Sequence, residues 1–246
     1  MVSRTRLRPG RKHRPAVLTL VDELRLLRWR DLEARGMPRS ELRLMLGLGF
    51  LREVAPSVWC RASAQFHATS VAAKRVPGGV LCLKTALWLH GLGDEPDKVW
   101  MAIDEKARKP RWEQPPLQVV RFSGRARSEG IEHRAVYGFP VPVYSVAKTV
   151  ADLFKYRNKL GYPIAVRALN NALLAGLCSQ EELLRFVDIC RVRKAVAPYL
   201  EVLRMRRGND LARAEQARVA REAQRAADLA APLYAPIPGT EGMEFG

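Results

Sequence analysis

The stretch from Val143 to Gly161 constrains this chain most. It begins as a strand, because β-branched and aromatic residues follow Pro140 and Pro142. Ser145 then stands where a helix N-cap belongs, and Gly161 stands where a helix stops. Between them Val146, Val150, Leu153 and Phe154 recur at helical spacing and form an apolar face. Lys148, Asp152, Lys155 and Lys159 lie on another face, with Asp152 four residues after Lys148 and three before Lys155. This pattern predicts a half-buried helix with a solvated, charged side.

Charge narrows the class of partner. The chain has 246 residues, a formal net charge of +17 and a pI near 10.4. Such a field draws polyanions, either nucleic acid or an acidic membrane surface. The longest apolar run, Val80 to Leu92, is broken by Lys84 and His90 and is shorter than the roughly 20 residues that span a bilayer. No apolar signal segment follows the basic N-terminus. The expected partner is therefore nucleic acid rather than membrane, and the expected location is the cytoplasm. Cys60, Cys82, Cys178 and Cys190 lie far apart among apolar residues, as buried reduced thiols do. Neither a metal nor a cofactor is expected.

The N-terminal third has its own pattern. Residues 1–14 carry six cations and no acid, which reads as a disordered basic arm that either follows a DNA backbone or stays solvated. Ala16 to Leu27 reads as a helix with Val17, Leu20, Val21 and Leu24 on one face. Trp29 to Leu32 opens a short second helix ending at Gly36. A third begins after Pro38, which suits a first helical position. Leu42, Met45 and Leu46 form its core face, and Arg39, Ser40, Arg43 and Gly47 share another arc. Leu51 to Val54 and Val58 to Cys60, joined through Ala55-Pro56-Ser57, read as a hairpin. Residues 1–62 hold fourteen Arg or Lys and six Asp or Glu, a net of 14 − 6 = +8.

Three helices and a hairpin with a basic third helix are what a winged helix-turn-helix needs to enter a major groove. Arginine suits the front because its fork grips guanine edges or phosphates bidentately. Arg30, on the second helix, joins the candidate DNA contacts. The same architecture also serves as a protein-docking module.

Residues 63–79 read as a connector with a Pro-Gly-Gly exit, and residues 80–206 as a second domain. There Val80 to His90 reads as a mostly buried helix. Val99 to Ile103, Leu117 to Phe122 and Ile131 to Tyr137 read as strands. The loop Lys106-Ala-Arg-Lys-Pro-Arg-Trp112 is basic and aromatic, suited either to a second nucleic-acid contact or to solvent. Helices are expected from Tyr162 to Gly176, after the capping box Ser179-Gln-Glu-Glu182, and from Arg193 to Arg206. Residues 207–246 read as a polar helical or disordered tail. The expected fold class is α+β: a winged helix-turn-helix at 15–62, then an α/β domain with a small sheet and a helical C-terminal half.

The run from Pro140 to Gly161, with Lys-Thr-Val-Ala-Asp-Leu-Phe-Lys-Tyr-Arg at its centre, resembles the C-terminal domain of the AbiEi-type antitoxin family. The resemblance extends back to Cys82-Leu-Lys-Thr-Ala-Leu-Trp-Leu-His-Gly-Leu92 and forward to about Leu203. The N-terminal stretch resembles the DNA-binding domain of the same family. That resemblance picks out Arg39, Ser40 and Arg43 on the third helix and Arg52, Trp59 and Arg61 around the wing. Family wings often turn through a glycine, whereas Pro56-Ser57 stands here. The resemblance implies an autorepressor that binds double-stranded DNA at its own operon. It also implies the antitoxin of a type IV, phage-defence (abortive infection) pair, antagonising a nucleotidyltransferase-like toxin without direct contact being assumed. The expected working surface is the charged face Lys148, Asp152, Lys155 and Arg157.

No catalytic signature accompanies these motifs, so no enzyme is expected. One pattern is weighed against that. Pro96-Asp97, a strand, then Asp104-Glu-Lys106 is similar to the carboxylate–lysine core of restriction-type nucleases, whose acids hold Mg²⁺. Only six residues separate Asp97 from Asp104. A stand-alone transcription factor without a toxin is the other alternative.

Overall fold

The computed structural model describes residues 15–110, 114–206 and 218–225. The basic arm at 1–14 and most of the polar tail lie outside these residues. Two small antiparallel or mixed sheets organise the chain, one of three strands and one of five.

The first sheet belongs to the N-terminal helices. Helix α1 (Ala16–Leu24) is followed by strand β1 (Leu27–Arg28), helices α2 (Trp29–Glu33) and α3 (Arg39–Gly47), and strands β2 (Leu51–Ala55) and β3 (Val58–Arg61). The strand order is β1-β3-β2, antiparallel throughout. The expected first helix is thus shorter than its apolar pattern. Arg25 turns out of it at φ 61°, and Leu27 pairs with Trp59 instead. Val17, Leu20, Val21, Leu27, Leu32, Leu42, Met45 and Leu51 make one buried cluster. Each such side chain contributes about 1.5–3 kcal/mol. Pro15 offers no side-chain cap to α1, and Glu41 of α3 takes that role by accepting from the Val17 amide at 3.1 Å.

The expected connector contains helix α4 (Ala68–Arg75), with His67 as its N-cap. Val71, Ala72 and Val76 bury themselves in a cluster with Leu26, Val58 and Cys60 on one side and Leu81, Met101, Ile103 and Val141 on the other. The Lys74 ammonium reaches Asp31 of α2 at 2.8 Å, and Ser70 Oγ donates to the Val136 carbonyl at 3.3 Å. The two sheets therefore share a core.

The second sheet comprises β4 (Val80–Leu81), β5 (Val99–Asp104), β6 (Leu117–Phe122), β7 (Ile131–Val136) and β8 (Phe139–Tyr144), in the order β6-β5-β4-β8-β7. β5 and β6 are parallel, as are β4 and β8. The helix expected from Val80 starts only at α5 (Leu83–Leu89), because Val80 and Leu81 pair with Ala102 and Met101. Helix α6 (Gly124–Ser128) joins β6 to β7. Helices α7 (Val146–Lys155), α8 (Arg157–Leu160), α9 (Tyr162–Leu174), α10 (Gln180–Ile189) and α11 (Arg193–Arg206) complete the second half. Ser145 caps α7 and Ser179 caps α10, each accepting from the amide three residues on. A further helical stretch covers 218–225, and Arg225 donates to the Leu89 carbonyl at 3.0 Å.

Candidate nucleic-acid interface

Helix α3 turns Leu42 and Met45 into the first core and leaves Arg39, Ser40, Arg43, Leu44, Gly47 and Leu48 exposed. At 100° per residue these six fill one half of the helix, with Gly47 and Ser40 at its centre and Arg43 and Leu44 on either side of them. The Arg39 guanidinium carbon lies 4.4 Å from the centroid of the Trp29 ring. That cation–π contact holds the Arg39 side chain against the ring, while Arg39 remains exposed. Trp29 is the platform that sequence reasoning missed. Its signal was its place at the first position of α2, ten residues before Arg39. Arg30 is exposed on the same short helix.

The candidate contacts around the hairpin are placed differently. Arg52 donates to the Ala62 carbonyl at 3.2 Å and the Ala64 carbonyl at 2.6 Å. Arg61 forks onto both oxygens of Asp22 at 2.7 and 2.8 Å and also donates to the Leu18 carbonyl. That pairing raises the Arg61 pKa and fastens α1 to β3. Trp59 is half-buried against the first core. These three side chains are engaged in holding the hairpin, Arg52 from an exposed position and Trp59 and Arg61 half-buried, whereas Arg30, Arg39, Ser40 and Arg43 are exposed on the helices. The turn itself reaches φ 62° at Ser57, whose amide donates to Glu53 at 2.7 Å. A serine thus occupies the left-handed conformation that a glycine adopts without strain.

The charged face expected on α7 is not a surface. Both Lys148 and Asp152 are fully buried. Helical periodicity gave α7 one apolar face, but α5, α9 and α10 pack around it as well as the sheet. The Lys148 ammonium lies 2.5 Å from Asp152, with ring centroids of Tyr144 and Phe122 at 4.3 and 4.5 Å. The thiol of Cys190 donates to the second Asp152 oxygen at 3.3 Å. Burial outweighs the neighbouring ammonium and holds the Asp152 carboxyl above its usual range. Burial likewise pushes the Cys190 thiol up to about 12. Of the four expected residues only Lys155 is exposed. Arg157 is half-buried and spends its donors on the Phe154 carbonyl and Tyr162 hydroxyl, both at 2.8 Å.

The nuclease-like residues do not meet. β5 runs unbroken from Val99 to Asp104, about 17 Å at 3.3 Å per residue. Asp97 lies before its start and Asp104 ends it, and the two line separate clefts. One Mg²⁺ cannot be held by both. Among the described residues no group of three or more His, Cys, Asp or Glu is placed to hold a metal ion. Among the same residues no helix is long and apolar enough to cross a membrane.

No family model matches the chain, and no curated protein matches it by sequence. Its fold is similar to that in the crystal structure of the RV2827C protein from Mycobacterium tuberculosis, with a TM-score of 0.53. The two share 18% identity over 82% of this chain and 79% of that one. At that identity the likeness bears on the fold alone.

Proposed function

We propose that the chain is a DNA-binding regulator whose first 62 residues act as a winged helix, with α3 as the recognition helix and β2–β3 as the wing. The observation that carries this reading is the exposed half of α3. It presents Arg39, Ser40 and Arg43 together, and its opposite side is locked by Leu42, Met45 and the Glu41 cap on α1. A helix held this way fits a major groove, and its arginines match guanine edges. The DNA upstream of the chain's own reading frame is the first probe. Retardation of that fragment, lost on exchange of Arg39 and Arg43 for Ala, supports the reading, and equal retardation of wild type and variant refutes it.

We further propose that the protein is the antitoxin of an AbiEi-type pair. The support is the resemblance of residues 82–203 to that family's C-terminal domain. Co-expression with the product of the adjacent reading frame tests this. Growth arrest by that product alone, relieved by the full chain, supports the pair. Absence of a toxic neighbour leaves a stand-alone transcription factor.

A further inference from the structure

Two basic clefts open where β5 and β6 end. The strands are in parallel register with Asp104 opposite Phe122, so they finish at one edge. Crevices beyond the carboxyl ends of parallel strands are where α/β sheets bind ligands. The first cleft, about 530 Å³, is lined by Arg75, Arg108 and Arg127 against the single carboxylate Asp104. The second, about 480 Å³, is lined by Arg125, Lys155 and Arg191 against the single carboxylate Asp188. Helix α6 is the partition: Arg125 and Arg127 stand two residues apart on it, about 200° around the axis, one to each cleft.

The carboxylates are already engaged. Asp188 takes both forks of Arg193 at 2.8 and 2.5 Å. Asp104 accepts from the Lys106 amide at 2.9 Å. Glu129, beside α6, is shared by Arg125 and Arg185 at 2.5 Å each. Arg127 gives one nitrogen to the Gly78 carbonyl. Arg108, Lys155 and Arg191 are exposed. The loop that adds Lys106, Arg108 and Lys109 is pinned by Arg121, which donates to the Glu105 and Ala107 carbonyls at 3.0 Å. A loop fixed by one arginine while it offers three more cations is built to meet anions.

We propose that the two clefts hold separate phosphates of one single nucleic-acid strand that crosses α6, a helix about 10–12 Å across with its side chains. A single strand bends into concave clefts on either side of a helix, whereas duplex phosphates ride on a stiff convex cylinder. The site is separate from α3 and does not depend on the winged-helix reading. Phosphodiester contact alone does not select RNA or DNA, so both are probes.

The test uses the full chain, fluorescent 12-nucleotide oligo-U and oligo-dT, and a mixed-sequence duplex of the same length. Binding is followed by anisotropy against salt. The variant combines Arg108→Ala, Lys155→Ala and Arg191→Ala, all exposed positions, and a melting curve checks its fold. The expected result is at least tenfold weaker binding of a single strand and a log–log salt slope lower by about 2, near 0.7 per lost contact. Arg39→Ala with Arg43→Ala keeps that binding. Equal affinity for oligo-U and oligo-dT supports a site that reads phosphate, and preference for one names the strand. If the triple variant misfolds, Arg108→Ala and Lys155→Ala are tested singly, and each lowers the slope. Unchanged single-strand binding in the folded variants overturns the proposal. So does its loss in the α3 variant, or a triple-variant defect confined to the duplex.

Discussion

The Lys148 ammonium and the Asp152 carboxylate face each other 2.5 Å apart with no solvent reaching either. Two charges removed from water contribute little net stability as a pair, because desolvation offsets their attraction. Removing one alone is another matter. Asp152→Ala leaves a buried ammonium with only ring faces for company and is expected to cost about 3–5 kcal/mol. The double exchange Lys148→Met with Asp152→Leu should lie near wild type. Urea unfolding of the three proteins checks both statements.

The second prediction concerns α3. Arg43→Ala and Arg39→Ala should each weaken operator binding by about 1–3 kcal/mol if they read bases. Arg39→Lys should not restore binding fully, since a lysine loses the planar stack on Trp29 as well as the fork. Gel-shift affinities at one fixed salt concentration settle each case.

His90 supplies a pH dependence. Its Nε2 donates to the Tyr144 carbonyl at 2.7 Å inside the second core. Burial, with smaller contributions from Arg134 and Arg225, lowers its pKa to about 4 against the Tyr144 carbonyl's opposing pull. The folded state thus binds fewer protons here than the unfolded state, whose imidazole titrates near 6.5. The stability it confers is complete above pH 6.5 and is lost as pH falls from there to 4. The loss is about 3 kcal/mol by linkage. Chemical denaturation across this window should show that slope in wild type and a flatter one in His90→Gln.

Ser57 sits at φ 62° in the hairpin turn. Ser57→Gly removes a left-handed penalty of about 1–2 kcal/mol and restores part of it as chain entropy. The expected outcome is a gain of up to about 1 kcal/mol and unchanged DNA affinity, read by thermal melting and gel shift.

Gly130 marks the reverse case. It has φ 75°, and a Cβ there would lie 2.8 Å from Phe186 Cζ and 3.0 Å from Lys148 Cβ. Gly130→Ala should lower the melting temperature by several degrees.

Local signals read well where one residue type decides the local structure. Ser145 and Ser179 cap helices as their spacing predicts, and the Ala55–Val58 turn closes the hairpin where Pro56-Ser57 announces it. The failures are nonlocal. Nothing near Val80 says that it will pair with Ala102, and its apolar run has the pattern of a helix start. Periodicity placed Lys148 and Asp152 on one arc of α7 but could not count the helices that would cover it. On α3, Arg39, Ser40 and Arg43 were legible because exposure follows from the opposite side's apolar residues. The roles of Arg52 and Arg61 were not, since Asp22 and the Ala62 and Ala64 carbonyls reach them only after folding.

Helix α4 has a mechanical meaning. A linker would let the α3 end swivel against the rest, but α4 is packed into both sheets and tied to Asp31 on one side and Val136 on the other. The orientation of α3 relative to the clefts beside α6 is therefore fixed. Cutting the chain at Val80 would strip a lid from Met101, Ile103 and Val141, leaving a sticky fragment rather than a free-standing half.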